Sequence, residues 1–182
     1  MRKPGLLAWE RLVWGTIPGK PVAMGRPRIG RNRMFTPKAS REYMEEAARI
    51  IAGSTDLRIT QPVQVYMIFI FPRPKSMPRG YREHLYSWGK TKGRVWKWTK
   101  PDIDNLEKMT LDSLVKSGVI QDDSQVVSTH SEKFYAAAGE AAQVKYTINI
   151  QRRVYYHEAP DIQAQPVQQH VRQRPKDDIQ DD

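Results

Sequence analysis

Apolar residues in this chain fall into a few runs separated by long polar stretches. Leu12, Val13, Trp14 and Ile17 make residues 10–17 read as a first strand. Residues 18–36 are rich in Gly, Pro and Arg and read as loop. Tyr43, Ala47, Ile50 and Ile51 recur at helical spacing, which predicts a helix capped by Thr36 or Ser40, running to about Ala52 and stopped by Gly53. After Pro62, residues 63–71 are apolar at positions of both parities, the pattern of a strand buried on both faces, so a central place in a sheet is expected. Leu106, Met109, Leu114 and Val115 predict a second helix from about Asp104 to Ser117, with Asp104 as its N-cap and Gly118 as its end. Two further strands are expected over 125–135 and 142–150, joined by the small-residue loop AAAGEA.

Two stretches lack any such period. Residues 72–100 form a loop of 29 residues, and a loop that long in a compact domain is usually functional or disordered. Residues 151–182 are rich in Gln, Pro, Arg and Asp and read as a disordered tail. The 182 residues thus divide into one domain, 1–150, and the tail; two domains would be cramped.

Composition narrows the chemistry. The absence of cysteine excludes a disulfide scaffold and a thiolate metal site, and fits a reducing cytoplasm. The basic start lacks the sustained apolar core of a signal peptide, and the longest apolar run is far short of a membrane span, so no membrane partner is expected.

Charge sharpens the picture. The formal net charge is +10, but it is unevenly placed. Residues 18–41 carry seven bases (Lys20, Arg26, Arg28, Arg31, Arg33, Lys38, Arg41) and no acid. Residues 72–100 carry nine, among them Lys90, Lys92, Arg94, Lys97 and Lys100, against one acid, Glu83. Residues 101–150 reverse the sign, with eight acids against four lysines. Basic segments around an acidic one suit a polyphosphate gripped by bases with metal ions held by acids. The plain alternative is that the basic loops are solvated surface. Tyr81, Tyr86, Trp88, Trp96 and Trp98 stand among the bases of the longer loop, either to stack nucleobases or to anchor the loop to the core.

The acids concentrate in KPDIDNLEKMTLDSLVKSGVIQDDSQVV, residues 100–127. Asp102 and Asp104 flank the expected helix start, and Asp122 and Asp123 follow its end. If the segment Val119–Ile120 turns the chain back, three or four carboxylates come together, and carboxylate oxygens of this kind suit Mg²⁺ or Mn²⁺. Lys108 either contacts the reacting phosphate, holds a carboxylate, or forms an ordinary helical ion pair; Asp112 is read as a surface partner of Lys108 or Lys116. No EF-hand spacing, Asp/Glu-x-Lys triplet, Walker loop, HExxH or GxSxG occurs. The residues alone point to metal-dependent phosphodiester cleavage.

The same stretch resembles the signature of the RusA family of Holliday junction resolvases, with its D-x-D-N-L-x-K start, helix with an internal Asp, and D-D-x-Q-V-V end. GKPVAMGRPRIGRNRMFTPKASREY upstream is similar to that family's basic loop and helix entry. The resemblance spans roughly residues 13–150 and implies a small α/β (α+β) domain, a mixed sheet with helices packed on it. It implies a Mg²⁺-dependent homodimer, with Mn²⁺ as a possible substitute and no small-molecule cofactor, that nicks four-way DNA junctions symmetrically in recombination, repair or phage DNA processing. The expected place is the cytoplasm of a bacterial or phage-infected cell. By motif position the catalytic carboxylates are Asp102, Asp104 and Asp123, with Asp122 as the neighbouring acid, Lys108 as the essential lysine and Lys100 as the base before the motif. Lys20, Arg26, Arg28, Arg31, Arg33, Lys90, Lys92, Arg94 and Lys97 are the other expected DNA contacts. The alternative is a non-catalytic DNA- or RNA-binding regulator, or a packaging accessory protein, on the same fold. Val63–Phe71 and the aromatics Trp9 and Trp14 are the candidate dimer surfaces.

Overall fold

The computed structural model describes residues 6–25, 28–29, 34–35, 37–75 and 93–154. In chain order these form β1 (Leu6–Pro18), β2 (Arg28–Ile29), β3 (Met34–Phe35), α1 (Lys38–Ser54), β4 (Val63–Phe71), β5 (Val95–Trp96), α2 (Ile103–Ser117), a 3-10 turn (Asp123–Gln125), β6 (Val126–Tyr135) and β7 (Gln143–Val154). Five strands make one sheet in the order β1-β7-β4-β6-β5, and β2 pairs with β3 alone. β4 and β6 run parallel while the other neighbours are antiparallel. The expected mixed sheet with helices on it is therefore what the chain forms.

β4 is the middle strand, as its apolar run predicts. Val63, Val65, Met67, Phe69 and Phe71 join Ile51, Leu106, Leu114, Tyr146 and Ile148 in one core between the helices and the sheet. Burial on both faces holds only toward the end of β4, because Gln64 and Ile68 are half-buried and Tyr66 is exposed. With neighbours on both edges, Val63–Phe71 has no free edge for another strand, and Tyr66 is its exposed side chain.

The ends of elements differ from their sequence readings for local reasons. β1 starts four residues earlier than expected and β7 continues to Val154, because Leu6–Trp9 and Gln151–Val154 are each other's partners. Residues 155–182 of the expected tail lie outside the described residues. α1 starts after Pro37 without a side-chain cap. Ser40 sits in the first turn instead, and its Oγ accepts the Gly25 N–H at 3.1 Å. The helix passes through Gly53 to Ser54, whose hydroxyl donates to the Ile51 carbonyl at 2.7 Å.

β4, α2 and β6 form one crossover unit. Parallel strands require the chain to return across the sheet between them, and α2 makes that return. α2 therefore starts at the end of the sheet where β4 and β6 finish, and ends where they begin. Gly118, at φ 76°, takes the left-handed conformation that closes the helix. Ile120 then forms a parallel bridge to Ile59 and leads toward β6. Among the described residues no helix is long and apolar enough to cross a membrane.

Candidate active site

The residue before α2 is Asp102, not Asp104: Asp102 occupies the N-cap at φ −71° and ψ 148°, and Asp104 lies in the first turn. Asp102 makes no side-chain capping bond, so its carboxylate is not spent on the helix. The Asp104 Oδ1 accepts from Asn105 Nδ2 at 3.2 Å. Both acids are exposed. The helix N-terminus behind them carries partial positive charge, which favours both these carboxylates and a phosphate brought against them.

Lysines hold this entry segment in place. Lys133 Nζ, from the end of β6, donates to the Pro101 carbonyl at 2.6 Å and the Thr99 carbonyl at 3.0 Å. Lys97 is buried, and its Nζ donates to the Lys100 carbonyl at 2.6 Å, the Thr99 carbonyl at 3.3 Å and the Thr99 hydroxyl. That ammonium also lies 5.0 Å from the ring centroids of both Phe71 and Tyr135. Burial, followed by the charge of Lys97, lowers the Lys133 pKa, while Asp102 acts against that shift. Hydrogen bonding from Thr99, then from Lys97, lowers that of Tyr135. Met24 N–H donates to the Asn105 carbonyl at 2.8 Å, laying the first basic loop alongside the start of α2. Between these parts lies a cleft of about 230 Å³ lined by Lys20, Phe71, Pro72, Lys97, Lys100, Pro101 and Tyr135. Lys20 and Lys100 are exposed on it.

The second acid pair is elsewhere. Asp122 caps the 3-10 turn, its Oδ1 accepting from Ser124 N at 2.8 Å, and hydrogen bonding from Ser124 holds its carboxyl below the usual range. Gln125 fixes the turn from both directions. Its Oε1 accepts from the N–H groups of Gln121 and Asp122 at 2.6 and 3.1 Å, and its Nε2 donates to the carbonyls of Ile59 and Gln61 at 3.1 and 3.2 Å. This end of the domain lies across α2 from Asp102. Fifteen helical residues span about 22 Å, and the seven steps from Val126 to Lys133 on β6 span about 23 Å. The turn back through Val119–Ile120 that would gather all four acids is thus not made within one chain, because the Ile120–Ile59 bridge directs the chain onto β6. Among the described residues no three acidic or histidine side chains come together.

Two expected contacts change character. Arg94 is buried and its guanidinium is held by Glu140, with Nε at 2.9 and 3.0 Å from the two carboxylate oxygens. Lys97 spends its donors on the backbone next to the cis Lys100–Pro101 bond. Neither is a loose surface base. Lys108 pairs with Asp112 at 3.7 Å, one turn further along α2, the surface pairing expected of Asp112. Arg26, Arg31, Arg33, Lys90, Lys92 and the side chain of Arg28 lie outside the described residues, as do Tyr81, Tyr86 and Trp88. Lys133 and Gln125 carry the geometry without having been singled out. Their signals are modest: a lone lysine two residues before the end of a strand, and a glutamine three residues after an acid at a 3-10 start.

An α+β domain whose crossover helix presents exposed carboxylates beside a lysine-lined cleft is suited to phosphodiester chemistry. Residues 18–150 match the family described as Endodeoxyribonuclease RusA, a stretch that includes α1, β4, α2, β6 and both acid pairs. The chain belongs to this family and is a nuclease. It is 34% identical to the uncharacterized protein YqaN of Bacillus subtilis (strain 168) over 127 residues, covering 66% of this chain and 86% of that protein. It is 26% identical to the crossover junction endodeoxyribonuclease rusA of Enterobacteria phage 82 over 133 residues, covering 72% and 91%.

Proposed function

We propose that this nuclease is a divalent-metal-dependent, structure-selective endodeoxyribonuclease that resolves four-way DNA junctions by paired nicks and works as a homodimer in the cytoplasm. The observation that carries the reading is the pair of exposed carboxylates, Asp102 and Asp104, at the N-terminus of α2 beside the Lys20–Lys100 cleft. The name of the phage 82 relative, a crossover junction endodeoxyribonuclease, supports the choice of substrate.

The donor set fits the metal. Mg²⁺ is commonly held by one or two carboxylates, with waters and substrate phosphates filling the other positions. Asp102 and Asp104 offer oxygens that no cap or ion pair consumes. Asp123, with Asp122 as a lesser contributor, is assigned to the same chemistry by its place in the signature. When bound, the ion supplies Lewis acidity at the phosphate and a water of lowered pKa. The chain's own residues do the rest. Lys20 and Lys100 hold flanking phosphates, Lys133 and Lys97 keep the 99–102 backbone in place, and Lys108 stands one turn along α2 from Asp104 to offset charge on the phosphate.

The test is a nicking assay on a synthetic four-way junction with and without Mg²⁺, with linear duplex, fork and flap as controls. Paired, metal-dependent nicks confined to the junction are expected. Binding without cleavage under every metal condition would replace this reading with that of a non-catalytic regulator.

A further inference from the structure

The cleft beside Asp102 has two kinds of wall. Lys20 and Lys100 stand exposed on it, while Phe71 and Tyr135 bring aromatic rings and Pro72 and Pro101 aliphatic ones. The aromatic rings are fixed before any ligand arrives. Phe71 ends β4, is 2% exposed, and lies in register with Tyr135 at the end of β6. The Tyr135 hydroxyl meets the Thr99 hydroxyl at 3.0 Å and accepts from Lys97 Nζ at 3.5 Å. That ammonium is 5.0 Å from the centroid of each ring. Its other donors go to the carbonyls of Thr99 and Lys100 and the Thr99 hydroxyl, all neutral groups, so its charge acts on whatever enters the cleft.

Size limits the occupant. At about 230 Å³ the cleft is below the roughly 300–1,000 Å³ of sites that enclose drug-sized ligands, which leaves room for one planar ring system. Place limits it as well. Pro101, a wall of the cleft, directly precedes Asp102, about 3.8 Å along the backbone.

We propose that this cleft receives one unstacked nucleobase of the cut strand at the branch point, with Tyr135 as the ring it stacks on and Lys20 and Lys100 on the neighbouring phosphates. This rests on the junction cleavage proposed above. An aromatic ring in a basic groove suits base stacking, and a ring already held in place needs little ordering on binding. Extruding a base from a continuous duplex costs its stacking and pairing, and the cost is least where the base is already unpaired. Stacking is interrupted at a branch point, so the cleft fills more readily there than on linear DNA. Phosphate contacts alone do not supply that discrimination. Tyr135 is thus a specificity-determining contact, separate from the carboxylates.

The test removes each side of the contact in turn. Four-way junctions carry an abasic site in place of each base flanking the branch point, one position at a time and in opposed strands together. Affinity is measured by titration without divalent metal. Tyr135→Ala is expected to weaken binding to the intact junction about 5- to 150-fold, the scale of one base–aromatic stack. At one abasic position it should bind as wild type does. Its affinity for linear duplex should change only a few-fold, so the preference for junctions falls. Tyr135→Phe keeps the ring and should recover most of the loss.

Equal loss on the intact junction and on every abasic junction would make Tyr135 a structural residue and overturn the inference. So would no loss at all, or a loss that Tyr135→Phe shares in full. Paired nicking by the wild-type protein would leave the function standing in each of these cases. A Tyr135→Ala loss that one abasic position removes, in a protein whose wild type never cuts junctions, would overturn the function and leave the base site standing.

Discussion

The ammonium of Lys133 lies 2.6 Å from the carbonyl oxygen of Pro101, the residue immediately before Asp102. A strand end thus grips the backbone that delivers the first carboxylate of the signature. Lys133→Met keeps the length of the side chain and removes the donor. It is expected to slow junction cleavage by roughly 10- to 100-fold, the scale of a small misplacement at a reacting centre, with junction affinity within a few-fold of wild type. Lys133→Arg should recover part of the rate. Equal loss of rate and affinity would mean that Lys133 touches the DNA itself.

Lys108 provides a cleaner separation of stability from turnover. Its ion pair with Asp112 is exposed and 3.7 Å long, so removing it should cost no more than about 0.5 kcal/mol. Lys108→Ala is expected to leave the thermal midpoint nearly unchanged while abolishing most turnover. A midpoint drop that parallels the lost activity would assign the lysine a structural part.

Salt dependence distinguishes the bases that face solvent from those turned inward. Lys20 and Lys100 are exposed on the cleft. Replacing both by Ala should lower the slope of log affinity against log salt by about 2, since each phosphate contact contributes about 0.9. Arg94→Ala, by contrast, should lower folding stability and leave that slope alone. A flattened slope for Arg94→Ala would show that its guanidinium leaves Glu140 to meet DNA.

Arg94 and Glu140 also set an acid limit. Hydrogen bonding from Arg94 lowers the Glu140 carboxyl below its ordinary 4.5. A depressed folded-state value means that the stabilisation is complete above the unfolded value and disappears as pH falls through the folded one. Glu140→Gln should destabilise the domain at neutral pH by on the order of 3 kcal/mol, because it leaves the buried Arg94 without its countercharge. The variant's stability should then fall less steeply than wild type below pH 4.5. Denaturant titrations at neutral pH and across the acid range check both parts.

Gly15 and Tyr146 face each other across β1 and β7. A Cβ on Gly15 would lie 2.6 Å from Cζ of the fully buried Tyr146 ring and 2.8 Å from its Cε1. Gly15→Ala should cost about 1–3 kcal/mol through overpacking, seen as a lowered thermal midpoint. An unchanged midpoint would mean the ring has room to move.

Much of the fold was legible because local signals agreed with one another. The apolar run of β4, the period of α2 and the glycine at its end each named an element that the chain forms. The signature carried the family. What was not legible depends on pairing. The extra lengths of β1 and β7 exist only because each supplies the other's partner. The inward roles of Arg94 and Lys97 were hidden because a count of charges does not reveal which bases meet a carboxylate or a carbonyl indoors. Asp102 and Asp104 were distinguished only by backbone angles at the helix start. The largest departure concerns Asp122 and Asp123. Their closeness to Asp102 in the chain suggested closeness in space, and the parallel pairing of β4 with β6 sends them to the far end instead.

That far end gives α2 a second meaning. The helix is a gauge: its fifteen residues set a fixed length between the two halves of the signature. Four residues inserted into it would preserve every acid and lysine while moving the halves about 6 Å further apart. The spacing between Asp104 and Asp123 is thus a dimension written into the chain by the length of one helix.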